Sequence, residues 1–553
     1  MIFVAPWLLG VALAQDTWPA GSTIDEAIAA QVTQEGLESL GSLVGAVVPP
    51  GIEIPDQSQS GGTWCFNYEF SFTNGLVDLQ IVDTTITPGH GVINAEIELL
   101  VSINDPTNKF GLDFEALCIP SSCGGYIEPF PVSVTLPIAM QIVTQSDGTR
   151  ALDAIVGDIV LDQGLASEHI ELDCFFDDID DFFRDYLGFS YFDWMISLVE
   201  GELTNAISDV APDLEAAIED AFAAARISED IDVLGNVIHI EAYPDDVTIS
   251  PEGLELVLAG TSSATVANCL PLGADPGGSL MTASPIPTMG DAAGGVAILA
   301  SDDFVNQILY TVWKGGVLCF DLADAGSLPL NTALLGLLAG DAFDEFFPDP
   351  APLLMATRPQ HPPVVEWEGP NDINVTIEDL GLDILAEVDD RVARLIGMYL
   401  DVEIGVDLEF DGTIGALEVV VVFDPEAIHV TIPFNELAPD ASDNIVEQFS
   451  AVFSSLVEPI IGNALGNLSF AMGSVEGVGL TSMEARSAGA AGDWLEVAAE
   501  LGPVSYGGDG CGEDGGCGGG CGDTGGGCST AGFRSRTLLI LFPFFLAMLR
   551  RRR

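Results

Sequence analysis

Apolar positions along this chain follow two periods, and the period changes several times. Ile24, Ile28, Val32, Leu37, Leu40 and Val44 fall at helical spacing, which predicts an amphipathic opening helix. Ser22 or Thr23 is placed to cap it, and Pro49-Pro50 to end it. The runs VDLQIVDTTITP, GVINAEIELLVSI, PVSVTLPIAMQIVT and ALDAIVGDIVLD then alternate apolar with polar residues, as antiparallel strands with one buried face do. From about Phe192 to about Ala225 the period returns to 3–4, with Ile196, Val199, Leu203, Ile207, Val210, Leu214 and Ile218 on one stripe. Pro212 is expected to kink or divide this second helix. Two strand-like runs, NVIHIEAY and DVTISPEGLELVLAG, close the first half.

Leu270 to Gly295 has no periodicity and is rich in Pro, Gly and Ser, so it reads as a linker. Beyond it the plan repeats. A helix is expected over Asp302 to Lys314, with Ser301 as N-cap, two aspartates in the first turn and Gly315-Gly316 at its end. The strand-like runs INVTIEDLGLDILAEV, LIGMYLDVEIGVDLEF, ALEVVVVF and AIHVTI follow. A long amphipathic helix over about Asp443 to Leu468 carries Ile445, Phe449, Phe453, Leu456, Ile460 and Ala464 on one stripe. GDWLEVAAEL then stands where GLELVLAG stands in the first half. An internal duplication of about 240 residues accounts for the repeat.

Composition narrows the function. Lys and Arg total 15 against 85 Asp and Glu, for a net charge of −70. Six of the arginines are Arg534, Arg536 and Arg550 to Arg553, so fifteen less six leaves nine cations ahead of Arg534, facing all 85 acids. Nucleic-acid binding needs a basic face and is excluded; a basic patch for anionic headgroups is equally unexpected. The surface reads as solvated and acidic, and no D-x-[DN]-x-[DN]-G loop points to calcium. Of the ten cysteines, Cys65, Cys118, Cys123, Cys174, Cys269 and Cys319 lie in the body, in keeping with an oxidising compartment. CIPSSC is able to close a local loop, and Cys269 and Cys319 to pair across the middle of the chain, among other pairings.

Both ends carry export signals. MIFVAPWLLGVALAQ has an apolar run and A-L-A before Gln15, the form of a signal peptide over residues 1–14. After Tyr506 comes a Gly/Cys-rich spacer (506–536) with Cys511, Cys517, Cys521 and Cys528, then an apolar run and four arginines (537–553). At about 1.5 Å per residue, Thr537 to Leu549 reaches roughly 20 Å, short of a ~30 Å hydrocarbon core. This tail resembles the bacterial MYXO-CTERM sorting signal. The resemblance implies processing by an envelope sorting protease and retention at the cell surface or outer membrane; a plain tail anchor is the alternative.

The order helix, strands, long helix, closing strands, Pro-rich linker, then the same again resembles the bactericidal/permeability-increasing protein family of the tubular lipid-binding (TULIP) superfamily. SDDFVNQILYTVWKGGVLCFDL (Ser301 to Leu322) and LIGMYLDVEIGVDLEF followed by ALEVVVVF carry the nearest local likeness, and the resemblance covers roughly residues 20–505. It implies an α+β fold of two pseudo-symmetric domains, 15–267 and 296–505, joined by 268–295. Each would be a highly curved antiparallel sheet wrapped around a long helix. It further implies an apolar groove in each that holds acyl chains. Ile28, Val32, Leu40, Val199, Leu203 and Ile207 are expected to line the first groove, and Phe304, Ile308, Val312, Phe449, Phe453 and Leu456 the second. The family's N-terminal disulfide into the long helix is not expected, because Cys174 precedes that helix and the helix has no cysteine.

No catalytic set accompanies this. His90, His169, His239, His361 and His429 are scattered, and there is no H-E-x-x-H, G-x-S-x-G or Walker loop. The acidic and aromatic segment Asp173 to Trp194 reads as a packed helix-like face, with a membrane-touching tip as the alternative. The chain is thus expected to be a non-enzyme without cofactor or metal, whose partners are a lipid or other apolar ligand and the membrane at its C-terminal tail. A structural or adhesive surface protein with the same fold and a filled core is the other expectation.

Overall fold

The computed structural model describes residues 17–44, 51–63, 66–116, 119–146, 148–173, 190–223, 226–233, 236–272, 274–282, 284–289, 295–319, 321–322, 331–343, 346–388, 391–413, 415–424, 428–449, 469–471 and 478–504. The signal peptide and C-terminal tail expected from the sequence lie outside these residues, as do the expected positions Phe453 and Leu456.

Three large antiparallel sheets organise the described residues, and the two outer ones are strongly curled. The first is built on the strands Gly75–Pro88, Ile93–Ile103 and Ile119–Thr144. Its alternation is the one expected: Ile93, Ala95, Ile97, Leu99, Val101 and Ile103 are all buried, and the register sets Ile97 opposite Val134 and Leu99 opposite Val132. The second outer sheet is built on Leu353–Pro359, Ile373–Val388, Arg391–Asp411 and Ala416–Phe423. Bulges at Ile81/Asp83, Val101/Ile103 and Ile384/Leu385 interrupt the registers, and such irregularities increase local twist and bend a strand.

Between them lies a sheet to which both halves of the chain contribute. Its order is Ile227–Val233, Asn236–Ser250, Gly253–Ala264, Ile24–Thr33, Val296–Ser301, Trp494–Pro503 and Val478–Ala488. The two middle strands open the two halves and pair antiparallel, with Val296 opposite Val32 and Ala300 opposite Ile28. Each is flanked by the closing strand of its own half, GLELVLAG on one side and WLEVAAEL on the other. The equivalence of those two runs, read from the sequence, is thus a positional equivalence in one sheet.

The opening helix is where the expectation fails. Ile24–Thr33 is a strand, and the helix begins only at Gln34 and runs to Val44. A spacing of four is a multiple of two, so Ile24, Ile28 and Val32 share one face of a strand as readily as one stripe of a helix. Pairing with Gly253–Ala264 and Val296–Ser301 decides the matter. Each half therefore opens strand then helix, and the second-half strand Val296–Ser301 begins directly after the expected linker, where only the helix was expected.

The other helices lie where expected. Tyr191–Ala223 is one helix that continues through Pro212 without being divided. Its start is capped by Ser190, whose Oγ accepts from the Asp193 amide at 3.1 Å. Asp302–Lys314 starts at Ser301, whose hydroxyl accepts from the Phe304 amide. It ends at Gly315, after which Gly316 adopts φ 75°, the left-handed region that favours glycine. Residues 442–449 begin the helix expected from Asp443, and the rest of it lies outside the described residues.

The expected linker is tied down along much of its length. Gly278–Leu280 pairs with Thr17–Pro19, and the Pro287 carbonyl accepts from Gln31 Nε2 at 2.8 Å. Thr282 holds the first turn of Asp302–Lys314, and Cys269 is disulfide-bonded to Cys319. Cys123 is also disulfide-bonded.

Candidate functional site

The first-half candidate is the trough of the first outer sheet and the helix that lies in it. Phe192, Met195, Val199 and Leu203 step by 3, 4 and 4, and all four are buried in the same cluster as Ile97, Leu99, Val132 and Val134. Ile207 and Leu214 pack against that cluster while partly buried. The opposite face of the helix is polar, with Asp193, Glu200 and Thr204 exposed. Burial of each large side chain on the stripe stabilises the docked helix by about 1.5–3 kcal/mol. Carboxylates on the helix also cap the strand Arg150–Val156: Glu215 accepts from the Val156 amide at 2.8 Å and Glu219 from the Ala154 amide at 3.4 Å.

The residues expected to line the first groove divide. Val32, Val199, Leu203 and Ile207 meet in this cluster, joined by Leu37 from the short helix. Leu40 lies on that helix, its side chain outside the described residues. Ile28 goes elsewhere, into the core of the central sheet, where it meets Phe304, Ile308 and the partly buried Val312 of the expected second set. Ile28 and Val32 thus arrive from a strand, not from an opening helix.

Asp302–Lys314 is buried on nearly every side, including Asn306, Gln307 and Thr311. Gln307 Oε1 accepts from the Ser262 amide, its Nε2 donates to the Ser22 carbonyl at 2.7 Å, and Asn306 Oδ1 accepts from the Val365 amide at 2.8 Å. At Gly260 a Cβ would run into the Phe304 ring, so helix and sheet approach here as only glycine permits. At the first turn, the Thr282 hydroxyl donates to Asp302 Oδ1 at 2.7 Å and the Thr282 amide donates to Asp303 Oδ1 at 2.7 Å. Burial pushes the Asp302 carboxyl up to about 6, against the pull of the Thr282 hydroxyl and with help from the Asp303 and Asp493 charges. Asp493 Oδ1 is itself buried without a hydrogen-bond partner. No group of three or more His, Cys, Asp or Glu among the described residues is placed to hold a metal ion.

In the second half, Phe449 and Ile445 are buried in the core of the second outer sheet with Leu382, Ile384, Leu395 and Met398. Next to this core a pocket of about 310 Å³ opens to the surface, lined among others by Phe346, Phe347, Arg394, Leu395, Phe434 and Leu437. Sequence reasoning missed it. The available signals were the Phe346-Phe347 pair beside Pro348 and two arginines, Arg391 and Arg394, in a chain that has few.

No helix among the described residues is long and apolar enough to cross a membrane. No protein-family model and no curated protein matches the chain. Among solved structures, a lipopolysaccharide binding protein aligns at 12% identity and a TM-score of 0.49, covering 87% of this chain and 100% of that one. P47 of Clostridium botulinum E1 aligns at 9% identity and a TM-score of 0.25, over 87% of this chain and 100% of that one.

Proposed function

We propose that the protein is an exported, non-enzymatic lipid-binding or lipid-transfer protein, held at the cell surface by its C-terminal tail and handled there by an envelope sorting protease. The observation that carries the lipid reading is the one-sided burial of Tyr191–Ala223. Its apolar stripe lies in a curled apolar sheet, and its other face is polar. Along this stripe the helix is held by non-directional contact, with directional bonds from Glu215 and Glu219 toward its end, and an acyl chain is able to replace side chain against side chain at about 0.8 kcal/mol per buried CH₂. Lipid would enter by slight separation of the helix from the sheet, with Val199, Leu203 and Ile207 facing it. The scarcity of cations, 15 Lys and Arg against 85 Asp and Glu, favours recognition by apolar burial in this trough.

A second reading, a structural or adhesive surface protein with a filled core, is favoured by one observation. Val199 and Leu203 are only 2% and 3% exposed, so protein side chains already cover them. Mass spectrometry of an organic extract of the purified full-length chain separates the two. Copurifying acyl lipid at a defined stoichiometry is expected; a well-folded protein that carries none, and takes up none from vesicles, leaves the filled-core reading standing.

A further inference from the structure

The pocket of the second outer sheet is distinct from the first-half trough. Three segments far apart in sequence build it. Phe346 and Phe347 follow the short helical turn Gly340–Phe343. Arg394 and Leu395 come from the start of the strand Arg391–Asp411, and Phe434, Glu436 and Leu437 from the end of His429–Phe434 and the residues after it. Leu395 is 1% exposed and belongs to the core that also holds Phe449. At the surface the reverse holds: Phe346 is 50% exposed and Leu437 40%. Large apolar groups left in water beside a pocket with an apolar floor suit a ligand that covers them. A volume of about 310 Å³ is at the low end for ligand sites, fitting one chain rather than a two-chain lipid.

The polar groups say what the other end of that ligand is. The Arg394 guanidinium stacks 4.1 Å from the centroid of the Phe434 ring, which holds a cation at the pocket wall. Its Nη1 lies 3.3 Å from Asp383 Oδ1, a long contact, and Asp383 Oδ2 lies 3.3 Å from Arg358 Nε. Asp383 therefore keeps a cationic partner when Arg394 turns toward a ligand, and no half-buried carboxylate is orphaned. Arg358, Arg391 and Arg394 are three of the nine cations ahead of Arg534, gathered in this sheet of a very acidic protein. Glu436 also lines the pocket and opposes an anion on its side, which leaves the Arg394 side for the head.

We infer that this pocket binds a single-chain amphiphile with an anionic head, its chain against Phe346, Phe347, Phe434 and Leu437 and its head on Arg394. The inference deepens the lipid-binding reading with a ligand class and a second site, but it does not depend on the trough.

The test is a fluorescence titration of the full-length chain with 11-(dansylamino)undecanoic acid, competed by dodecanoate or by 1-dodecanol. Dodecanoate is expected to displace the probe at least about tenfold better than the alcohol. Arg394→Gln should weaken the probe about tenfold or more, by loss of a charged hydrogen bond. Glu436→Gln should tighten it about 2- to 5-fold, by removal of a like charge at a partly exposed site. The gain cannot come from misfolding, so this variant guards against a damaged Arg394→Gln protein. Leu203→Glu, in the first-half trough, removes whatever share of the signal belongs to that trough, and the Arg394→Gln and Glu436→Gln effects should persist in its background. Equal competition by the alcohol, or affinity unchanged in both pocket variants, overturns the proposal. Loss of the probe in Leu203→Glu alone assigns it to the trough and overturns it too. Binding to vesicles containing phosphatidylglycerol, without binding of the free probe, makes the patch a membrane contact and also overturns it.

Discussion

The helices Asp302–Lys314 and Tyr191–Ala223 are buried in opposite ways. The first is surrounded: eleven of its residues, Asp302 to Thr311 and Trp313, are buried, and Asn306 and Gln307 each accept from a backbone amide of a neighbouring strand. The second presents one apolar stripe to one sheet and keeps a polar face in water, with Glu200, Glu215 and Glu219 as its bonds to that sheet. A helix locked on all sides by directional bonds is a brace, and opening it would strand buried polar groups. A helix held on one side by apolar contact separates at a cost that another apolar body is able to offset. The contrast sets a braced helix beside the central sheet and a one-sided helix in the first outer sheet, where the proposed ligand site lies.

Changes to the brace are expected to be the most damaging. Phe304→Ala should destabilise the protein by about 3–5 kcal/mol, measured as a shift in urea midpoint, because a fully buried ring against Gly260 leaves a cavity that the sheet cannot close. A loss under about 1 kcal/mol would show that the helix is not a brace. Cys269→Ser opens a covalent loop with a sequence separation of 50 next to the end of the same helix, and should cost about 2–4 kcal/mol. The same urea titration reads it, and dithiothreitol, which also reduces the Cys123 disulfide, should cost the parent protein at least as much.

The pH response gives a smaller effect with a definite sign. The folded Asp302 carboxyl is raised from its ordinary 3.8 to about 6, so the folded state holds its proton more tightly than the unfolded chain. Its contribution is most favourable below about 4 and is lost as pH rises through about 6, a change on the order of 3 kcal/mol. Asp302→Asn should flatten that part of the stability profile. A profile with the same slope in the variant would assign the effect to other acids. Ser190→Ala removes the cap of the long helix and should cost about 1 kcal/mol. Because that helix is held on one side, the loss should show as faster amide exchange in its first turns before it shows in global unfolding.

Much of this contrast was legible in the sequence, and the parts that were not have physical causes. Asp302–Lys314 announced itself through Ser301, two acids and a Gly pair, all local signals. The stripe of Tyr191–Ala223 survived Pro212, which lies exposed in the helix. Ile24–Thr33 misled because its spacing satisfies both periods, and only partners 220 to 272 positions away select the strand. The same pairing took Ile28 out of the first trough and into the core around Phe304. The linker lacked periodicity because its contacts are a three-residue pairing of Gly278–Leu280 and isolated hydrogen bonds, such as Thr282 to Asp302 and Pro287 to Gln31, too short to repeat a face. The pocket at Arg394 was invisible for another reason. It is assembled from segments centred near 346, 394 and 436, and none is distinctive without the others.

The central claim is that the one-sided helix marks a lipid-binding trough. Lipid content of the full-length Leu203→Glu protein, measured by mass spectrometry of an organic extract beside the parent, tests it most directly. A charge placed in an apolar trough without a partner should expel the chain, so the account predicts at least a severalfold loss of bound lipid, with the far-UV spectrum and urea transition retained. A folded Leu203→Glu protein that carries as much lipid as the parent would contradict it.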